Sequence, residues 1–98
     1  MGENYNIVEY DIFRDKLNKL PDEFKKQIDK IKVQLRLNPY VGKPIGTRWK
    51  REKKIGGKRI YYIIFEIEKK VELVDISNKK DQQKIIDKIK QIWLFFLQ

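Results

Sequence analysis

The sequence contains no cysteine and no histidine. Without cysteine the chain can form no disulfide bond, thiolate nucleophile or Cys-ligated zinc site. The absence of histidine removes the commonest general acid or base and the commonest metal ligand. Any acid–base chemistry must therefore come from Lys, Arg, Glu, Asp or Tyr side chains, and we expect no metal site.

Long apolar segments are also missing. The N-terminal MGENYNIVEY has neither a basic region nor an apolar run of the kind that marks a secretory signal. The terminal WLFFL is too short to span a bilayer. We expect a cytoplasmic protein without a membrane partner, and a length of 98 residues suits one domain over residues 1–98.

Acidic residues are the minority among the charged ones. The chain has 23 Lys or Arg and 14 Asp or Glu, a net charge of +9. Residues 42–59 hold eight basic residues and one acid, Glu52, so this stretch alone carries +7. Such a concentration predicts an anionic partner, with nucleic acid ahead of a membrane surface. A solvated segment that serves only solubility is the alternative, although solubility does not require charge to be so concentrated.

The basic stretch is predicted to be part of a β-hairpin. Gly56 and Gly57 supply the positive φ angles that a tight turn demands. Residues 60–65 are β-branched and aromatic throughout, which indicates a central strand covered on both faces. Residues 50–54 form the charged strand before the turn, and residues 71–76 predict a further strand.

Helices are predicted at both ends of the chain. Asp11 is placed to cap a short helix after an opening strand at residues 4–10. Pro21 is expected at the first position of a second helix. Its apolar residues recur at helical spacing, at Phe24, Ile28, Ile31 and Leu35. Residues 40–46 are predicted as a loop, and a last helix runs from residue 79 to about residue 97.

The order of elements is thus β-α-α-β-β-β-α. It predicts an α+β fold, in which a small antiparallel-rich sheet carries the N-terminal helical hairpin on one face and the C-terminal helix on the other. The alternation of the central strand directs Ile60, Tyr62 and Ile64 toward the helical hairpin, and Tyr61, Ile63 and Phe65 toward the C-terminal helix. One helix covers its face only in part, so we expect an open end of the sheet near Arg59. The apolar end of the last helix, with Trp93, Phe95 and Phe96, is available to another chain.

Several local patterns accompany this order: LPxxxKxxI at residues 20–28, NPYVGKPIG at 38–46, GKRIYYIIF at 57–65 and VELVDIS at 71–77. In these respects the chain resembles the RelE/ParE superfamily, small toxins of type II toxin–antitoxin modules, from residue 5 to about residue 92. That superfamily contains ribosome-dependent mRNA endonucleases, related RNases and gyrase poisons. The fold that the resemblance implies therefore does not fix the function.

The resemblance implies a set of site residues. In RelE-type nucleases, lysines before the hairpin turn and an arginine after it surround the scissile phosphate, and Arg59 matches that arginine. A two-residue turn would place Lys54 opposite Arg59, whereas a longer turn would shift the register by one. The first register places Lys50, Glu52 and Lys54 on the same face of the sheet as Arg59. The second register places Arg51 and Lys53 there instead.

The C-terminal part departs from the family pattern. Where the family places an arginine and then a tyrosine, this chain has Asn78-Lys79-Lys80 and Ile85-Ile86, and no tyrosine follows Tyr62. The catalytic candidates are Lys50, Glu52, Lys54, Arg59 and Lys80. The candidates for RNA binding are Arg48, Arg51, Lys53, Lys58, Tyr61 and Lys79.

Such residues can support cleavage of RNA through attack of the 2′-hydroxyl. The guanidinium of Arg59 suits phosphate geometry, and neighbouring lysines lower one another's pKa because like charges disfavour the charged form. Glu52 is either a general base or an ion-pair partner that relieves lysine repulsion. Tyr61 either stacks an RNA base or belongs to the core.

The resemblance also implies partners. The favoured function is a ribosome-dependent mRNA endoribonuclease without metal or cofactor, whose partners are mRNA, the ribosome and a cognate acidic, helical antitoxin. The alternative is a non-cleaving binding module of the same fold, with DNA gyrase as a target. The apolar C-terminal end belongs either to the antitoxin site or to a homodimer.

Overall fold

The computed structural model describes the backbone of residues 4–97 and the side chains of residues 4–91. Its elements are β1 (Asn6–Glu9), α1 (Asp11–Asn18), α2 (Asp22–Leu37), β2 (Lys43–Ile45), β3 (Thr47–Ile55), β4 (Lys58–Phe65), β5 (Lys70–Asn78) and α3 (Gln82–Leu97). The strands form one sheet in the order β1-β5-β4-β3-β2. β1 runs parallel to β5 and the other pairs are antiparallel. The predicted α+β, antiparallel-rich fold is confirmed.

A short strand, β2, occupies part of residues 40–46, for which the sequence predicts a loop. β2 pairs with β3 at the edge of the sheet. It is three residues long and contains Pro44, so it is too short to show the alternation that marks a strand. A proline is tolerated there because an edge strand leaves one side of its backbone unpaired.

Helix boundaries also differ by a few residues from the prediction. Tyr10, not Asp11, is the N-cap of α1, and Asp11 lies within the first turn. Pro21 has an extended ψ of 154°, so it precedes α2 as its N-cap. α3 begins at Gln82 rather than residue 79, because a 3₁₀ turn at Lys79–Asp81 separates it from β5.

The hairpin register is one of the two that the sequence leaves open. Gly56 and Gly57 form a two-residue turn, in which Gly56 has the predicted positive φ, at 58°, and Gly57 does not. Lys54 is directly paired with Arg59, and Glu52 is paired with Tyr61. Directly paired residues project to the same face of a sheet. The first register is therefore confirmed, and it places Lys50, Glu52 and Lys54 on one face with Arg59, Tyr61 and Ile63.

The sheet separates two apolar clusters. One contains Ile60, Tyr62 and Ile64 together with Phe13, Ile28 and Leu35 of the helical hairpin. The other contains Tyr61 and Ile63 together with Val74, Ile85 and Ile89, and Phe65 packs at its margin. The predicted division of the central strand between the two faces is confirmed. Trp93, Phe95 and Phe96, for which a partner contact is predicted, lie outside the described side chains.

No helix in the described range is both long enough and apolar enough to cross a membrane. The described side chains also contain no group of three or more acidic residues placed to hold a metal ion.

Gly42 anchors the segment before β2 against the sheet. The hydroxyl of Tyr62 donates to the carbonyl of Pro39 (2.6 Å) and accepts from the amide of Gly42 (3.0 Å). Arg51 Nη1 donates to the carbonyls of Tyr40 (2.9 Å) and Gly42 (2.7 Å). A Cβ atom at position 42 would lie 2.5 Å from the Tyr62 hydroxyl and 2.6 Å from a β3 carbonyl. This position therefore has no room for a side chain.

We expect Gly42→Ala to lower the free energy of unfolding by about 2 kcal/mol, because the segment must move and the buried Tyr62 hydroxyl loses a partner. Urea denaturation measures the effect. Gly57→Ala is the matched control, since a Cβ there meets no atom within 4 Å and is expected to be neutral or slightly stabilising. Equal effects of the two substitutions would contradict the role given to Gly42.

Candidate nucleic-acid interface

A buried ion pair lies in the β3–β4 hairpin, beneath the start of α3. Arg59 Nη1 is 2.9 Å from Glu52 Oε1. Gln82 Nε2, at the first residue of α3, donates to both carboxylate oxygens of Glu52 at 3.0 and 3.3 Å. The side chains of Arg59 and Glu52 are only 11% and 4% exposed. Glu52 therefore holds Arg59 and the beginning of α3 together.

This arrangement changes two predictions about the hairpin. The sheet does not end openly at Arg59, because α3 begins over it and Glu52 accepts from its guanidinium. Of the two roles considered for Glu52, the ion pair is the one that the structure contains, and its partner is Arg59 rather than a lysine. Removal of one member of a buried pair leaves an uncompensated charge and costs about 3–5 kcal/mol.

Lys50 is the buried lysine of this face. It is 5% exposed and lies two positions before Glu52 on the same side of β3. Burial lowers the pKa of the Lys50 ammonium, and Lys90 of α3 lowers it further by charge repulsion. The predicted lowering of a lysine pKa by a neighbouring lysine is thus present at Lys50. The neighbouring lysine is Lys90 of α3, however, and not a residue of the hairpin.

Tyr61 is enclosed rather than available to a base. Its side chain is fully buried, and its hydroxyl lies 2.7 Å from Ser77 Oγ. Burial also raises the pKa of the phenol. The prediction that Tyr61 stacks an RNA base is wrong for this arrangement, because α3 and β5 cover the ring, and the core alternative is the one observed.

Arg51 binds backbone carbonyl groups and is not exposed for RNA binding. Besides the carbonyls of Tyr40 and Gly42, its Nε donates to the carbonyl of Arg48 at 2.6 Å. The guanidinium groups of Arg51 and Arg48 lie 5.0 and 5.3 Å from the centre of the Tyr40 ring. Arg51 and Lys53 project to the face opposite Arg59, and Arg48 lies at the far end of β3. The structure therefore does not bring these three candidates together with Arg59.

Three of the remaining candidates lie with Arg59 at the tip of the hairpin. Lys54, Lys58, Arg59 and Lys79 surround a concavity of about 210 Å³ beside Gly56 and Gly57, which we call the basic mouth. Lys58 Nζ donates to Asn78 Oδ1 at 2.7 Å, which fixes one wall of the mouth. Lys80 is exposed on the 3₁₀ turn after β5 and does not line it. Four cationic side chains thus line the mouth, and Arg59 among them is paired with Glu52, so the mouth suits a phosphate that takes the place of that carboxylate.

Two contributors to this face could not be selected from the sequence. Gln82 binds Glu52 only because α3 begins after an extra turn, and Lys90 reaches Lys50 only because α3 crosses this part of the sheet. The helical pattern of the sequence predicts that Gln82 and Lys90 belong to α3. It does not predict which strand residues these two side chains contact. Their roles depend on the packing of α3, which no local sequence pattern encodes.

Comparison with known proteins bears on the fold. No family model and no curated protein matches the sequence. Solved structures do match. A mutant of the E. coli toxin RelE in the free state is 17% identical with a TM-score of 0.76, covering 91% of this chain and 98% of that one. A RelBE-type toxin–antitoxin complex from Mycobacterium tuberculosis is 21% identical with a TM-score of 0.68, covering 78% and 99%.

The archaeal RelE–RelB complex from Pyrococcus horikoshii is 15% identical with a TM-score of 0.69, covering 78% of this chain and 96% of that one. At such identities the likeness concerns the fold. The chain has the fold of the RelE toxins, as the sequence resemblance implies.

Proposed function

We propose that this protein is the toxin of a type II toxin–antitoxin module and acts in the cytoplasm as an endoribonuclease on mRNA bound to the ribosome. The fold supports the first part, because structures of that fold are named toxins and several were solved with a RelB antitoxin. The basic mouth supports the second part. It is the single feature that carries the proposal, since it gathers Arg59 and three lysines around one concavity.

In the proposed reaction the scissile phosphate enters the basic mouth and replaces Glu52 as the anion bound by Arg59. Arg59 and Lys54 stabilise the charge that develops on the phosphoryl oxygens. The carboxylate of Glu52, released beside them, accepts the proton of the attacking 2′-hydroxyl. The 2′-oxygen forms a bond to phosphorus, the bond to the 5′-oxygen breaks, and a lysine ammonium donates the proton to that leaving oxygen. No step requires a metal or a cofactor.

Burial lowers the pKa of the Lys50 ammonium, so Lys50 releases its proton more readily than an exposed lysine does, but it is not among the residues that line the basic mouth. Lys79 extends the cationic surface along the substrate backbone, and Lys80, next to it on the 3₁₀ turn, is placed to contact a more distant phosphate. The ribosome is proposed as the site of action because the resemblance to RelE-type nucleases implies it.

A non-cleaving module is the second candidate, and the closed Arg59–Glu52 pair is the observation that favours it. In that case the protein binds a target such as DNA gyrase through its basic surface without chemistry. The chain also lacks the C-terminal arginine and tyrosine of the nuclease pattern.

One experiment separates the two candidates. The protein is added to a translating extract, where mRNA fragments are mapped by primer extension, and in parallel to a gyrase supercoiling reaction. Our proposal predicts discrete mRNA breaks that require ribosomes and normal supercoiling. Intact mRNA together with inhibited supercoiling would replace the nuclease with the gyrase inhibitor.

The proposed antitoxin is an acidic, mostly helical protein. A net charge of +9 on the toxin would speed the encounter. Burial of the apolar C-terminal end would hold the complex, and the alternative is that this end closes a homodimer. A chain shortened after Gln91 separates these roles, because antitoxin binding is lost in the first case and only self-association is lost in the second.

A further inference from the structure

A second cationic concavity lies between α1 and α3, at the end of β5. It has a volume of about 460 Å³, within the range of about 300–1,000 Å³ that is typical of small-molecule sites. Lysines from three elements surround it, and aliphatic side chains form its floor. The lysines are Lys16, Lys19, Lys58 and Lys84, and the floor is Leu20, Ile76 and Ile85. We call it the lysine pocket.

The positive charge of the lysine pocket is only partly compensated. Lys16 Nζ lies 2.7 Å from Asp75 Oδ1, but Asp75 is also shared with Lys88 at 3.1 Å, so one buried carboxylate serves two cations. Lys19 and Lys84 form no ion pair within residues 4–91. Among the side chains of residues 4–91, Asp81 is the single acid that lines the pocket. Lysines that line one pocket repel one another, and a bound anion would relieve that repulsion.

The side chains of the pocket indicate which anion it takes. Lysine binds phosphate well as a point charge, and the lysines of this pocket supply such charges from three elements. The aliphatic floor suits the apolar face of a ribose or a base. Lys58 lines both the lysine pocket and the basic mouth. The lysine pocket is therefore adjacent to the mouth, on one of the routes by which a strand of RNA can leave it past Lys58.

The geometry points to a nucleotide subsite in the lysine pocket, which binds the phosphate of a nucleotide neighbouring the one held in the basic mouth. This inference rests on the proposed RNA-directed function. Lys19 and Lys84 provide the free cations, Lys16 is held in place by Asp75, and Lys58 joins the two sites. The subsite contributes binding and not chemistry.

Adenosine 5′-monophosphate is a suitable probe, with adenosine as the phosphate-free control. In ¹H–¹⁵N NMR spectra of the full chain at low salt, the nucleotide is expected to shift the amides of Ser77, Asn78 and Ile85, and adenosine is expected to shift them far less. The double variant Lys19→Ala/Lys84→Ala should weaken nucleotide binding about tenfold or more, because it loses two charge-assisted contacts. The charge-matched control, Lys26→Ala/Lys30→Ala on the exposed face of α2, should bind within about twofold of the wild type.

Equal loss of affinity in both double variants would overturn the inference, since it would show general charge attraction only. Binding of an acidic peptide at these amides without any nucleotide binding would also overturn it and would assign the pocket to a protein partner. RNA cleavage by a protein without these nucleotide shifts counts against the subsite alone. Nucleotide shifts in a protein that cleaves no RNA support the subsite and count against the proposed nuclease alone.

Discussion

Arg59→Lys is expected to lower the rate of RNA cleavage by about 10²-fold or more while the free energy of unfolding stays nearly unchanged. Lysine keeps a positive charge next to the buried carboxylate of Glu52, so the ion pair at 2.9 Å has a replacement. It does not keep the planar fork that binds two phosphoryl oxygens at once. Loss of one such donor from a phosphoryl or oxyanion site reduces rates by about 10²–10³-fold. Single-turnover cleavage and urea denaturation measure the two effects.

Lysine, rather than alanine, is the informative substitution at this position. Arg59→Ala would leave Glu52 buried without its cation and would cost about 3–5 kcal/mol of stability, which confuses unfolding with loss of function. Lys79→Ala is the control for general positive charge at the basic mouth, since Lys79 is exposed and its loss should reduce the rate by less than tenfold. A cleavage rate unchanged by Arg59→Lys would remove Arg59 from the reaction.

Glu52→Gln is expected to lower the rate of cleavage by about 10²-fold, because the amide cannot accept the proton of the 2′-hydroxyl. Its shape is preserved, so an amide–amide hydrogen bond replaces the contact with Gln82, but Arg59 loses its buried carboxylate partner. Urea denaturation is therefore measured beside the rate, under conditions in which the variant is folded. The rate is measured with RNA at saturating concentration, which separates chemistry from binding. Glu68→Gln on the exposed β4–β5 turn removes the same charge and should leave the rate unchanged. A full rate in Glu52→Gln would restrict Glu52 to its ion pair with Arg59.

The fold could be predicted from local patterns because each of those patterns is strong by itself. The unbroken apolar run of β4 indicates a strand covered on both faces, and the glycines at residues 56–57 indicate a turn. The apolar stripe of α2 indicates a helix and the face that it buries. The strand β2 was not predicted, because three residues that include a proline show no periodicity. The start of α3 was predicted too early in the sequence, because β5 remains paired with β4 as far as Asn78. That pairing is a tertiary contact, which the local sequence does not encode.

The site was harder to predict because charge does not reveal exposure. In the sequence Arg51, Arg59 and Lys54 are equivalent cations of one basic stretch. In the structure Arg51 binds backbone carbonyls, Arg59 binds a buried carboxylate, and Lys54 is exposed at the mouth. The side chains of the lysine pocket lie more than 60 positions apart, Lys19 against Lys84, so no motif joins them. Only the packing of α1 and α3 against β5 brings them together.

The central claim is that an RNA phosphate replaces Glu52 as the anion bound by Arg59. The most direct measurement is the dissociation constant of a 2′-O-methyl oligoribonucleotide, which binds but cannot be cleaved, for the wild type, Glu52→Gln and the charge-matched Glu68→Gln. The claim predicts that Glu52→Gln binds this RNA about tenfold more tightly than the other two, because Arg59 no longer has to exchange a charged partner. Equal affinity in Glu52→Gln and Glu68→Gln, or weaker binding by Glu52→Gln, would contradict it.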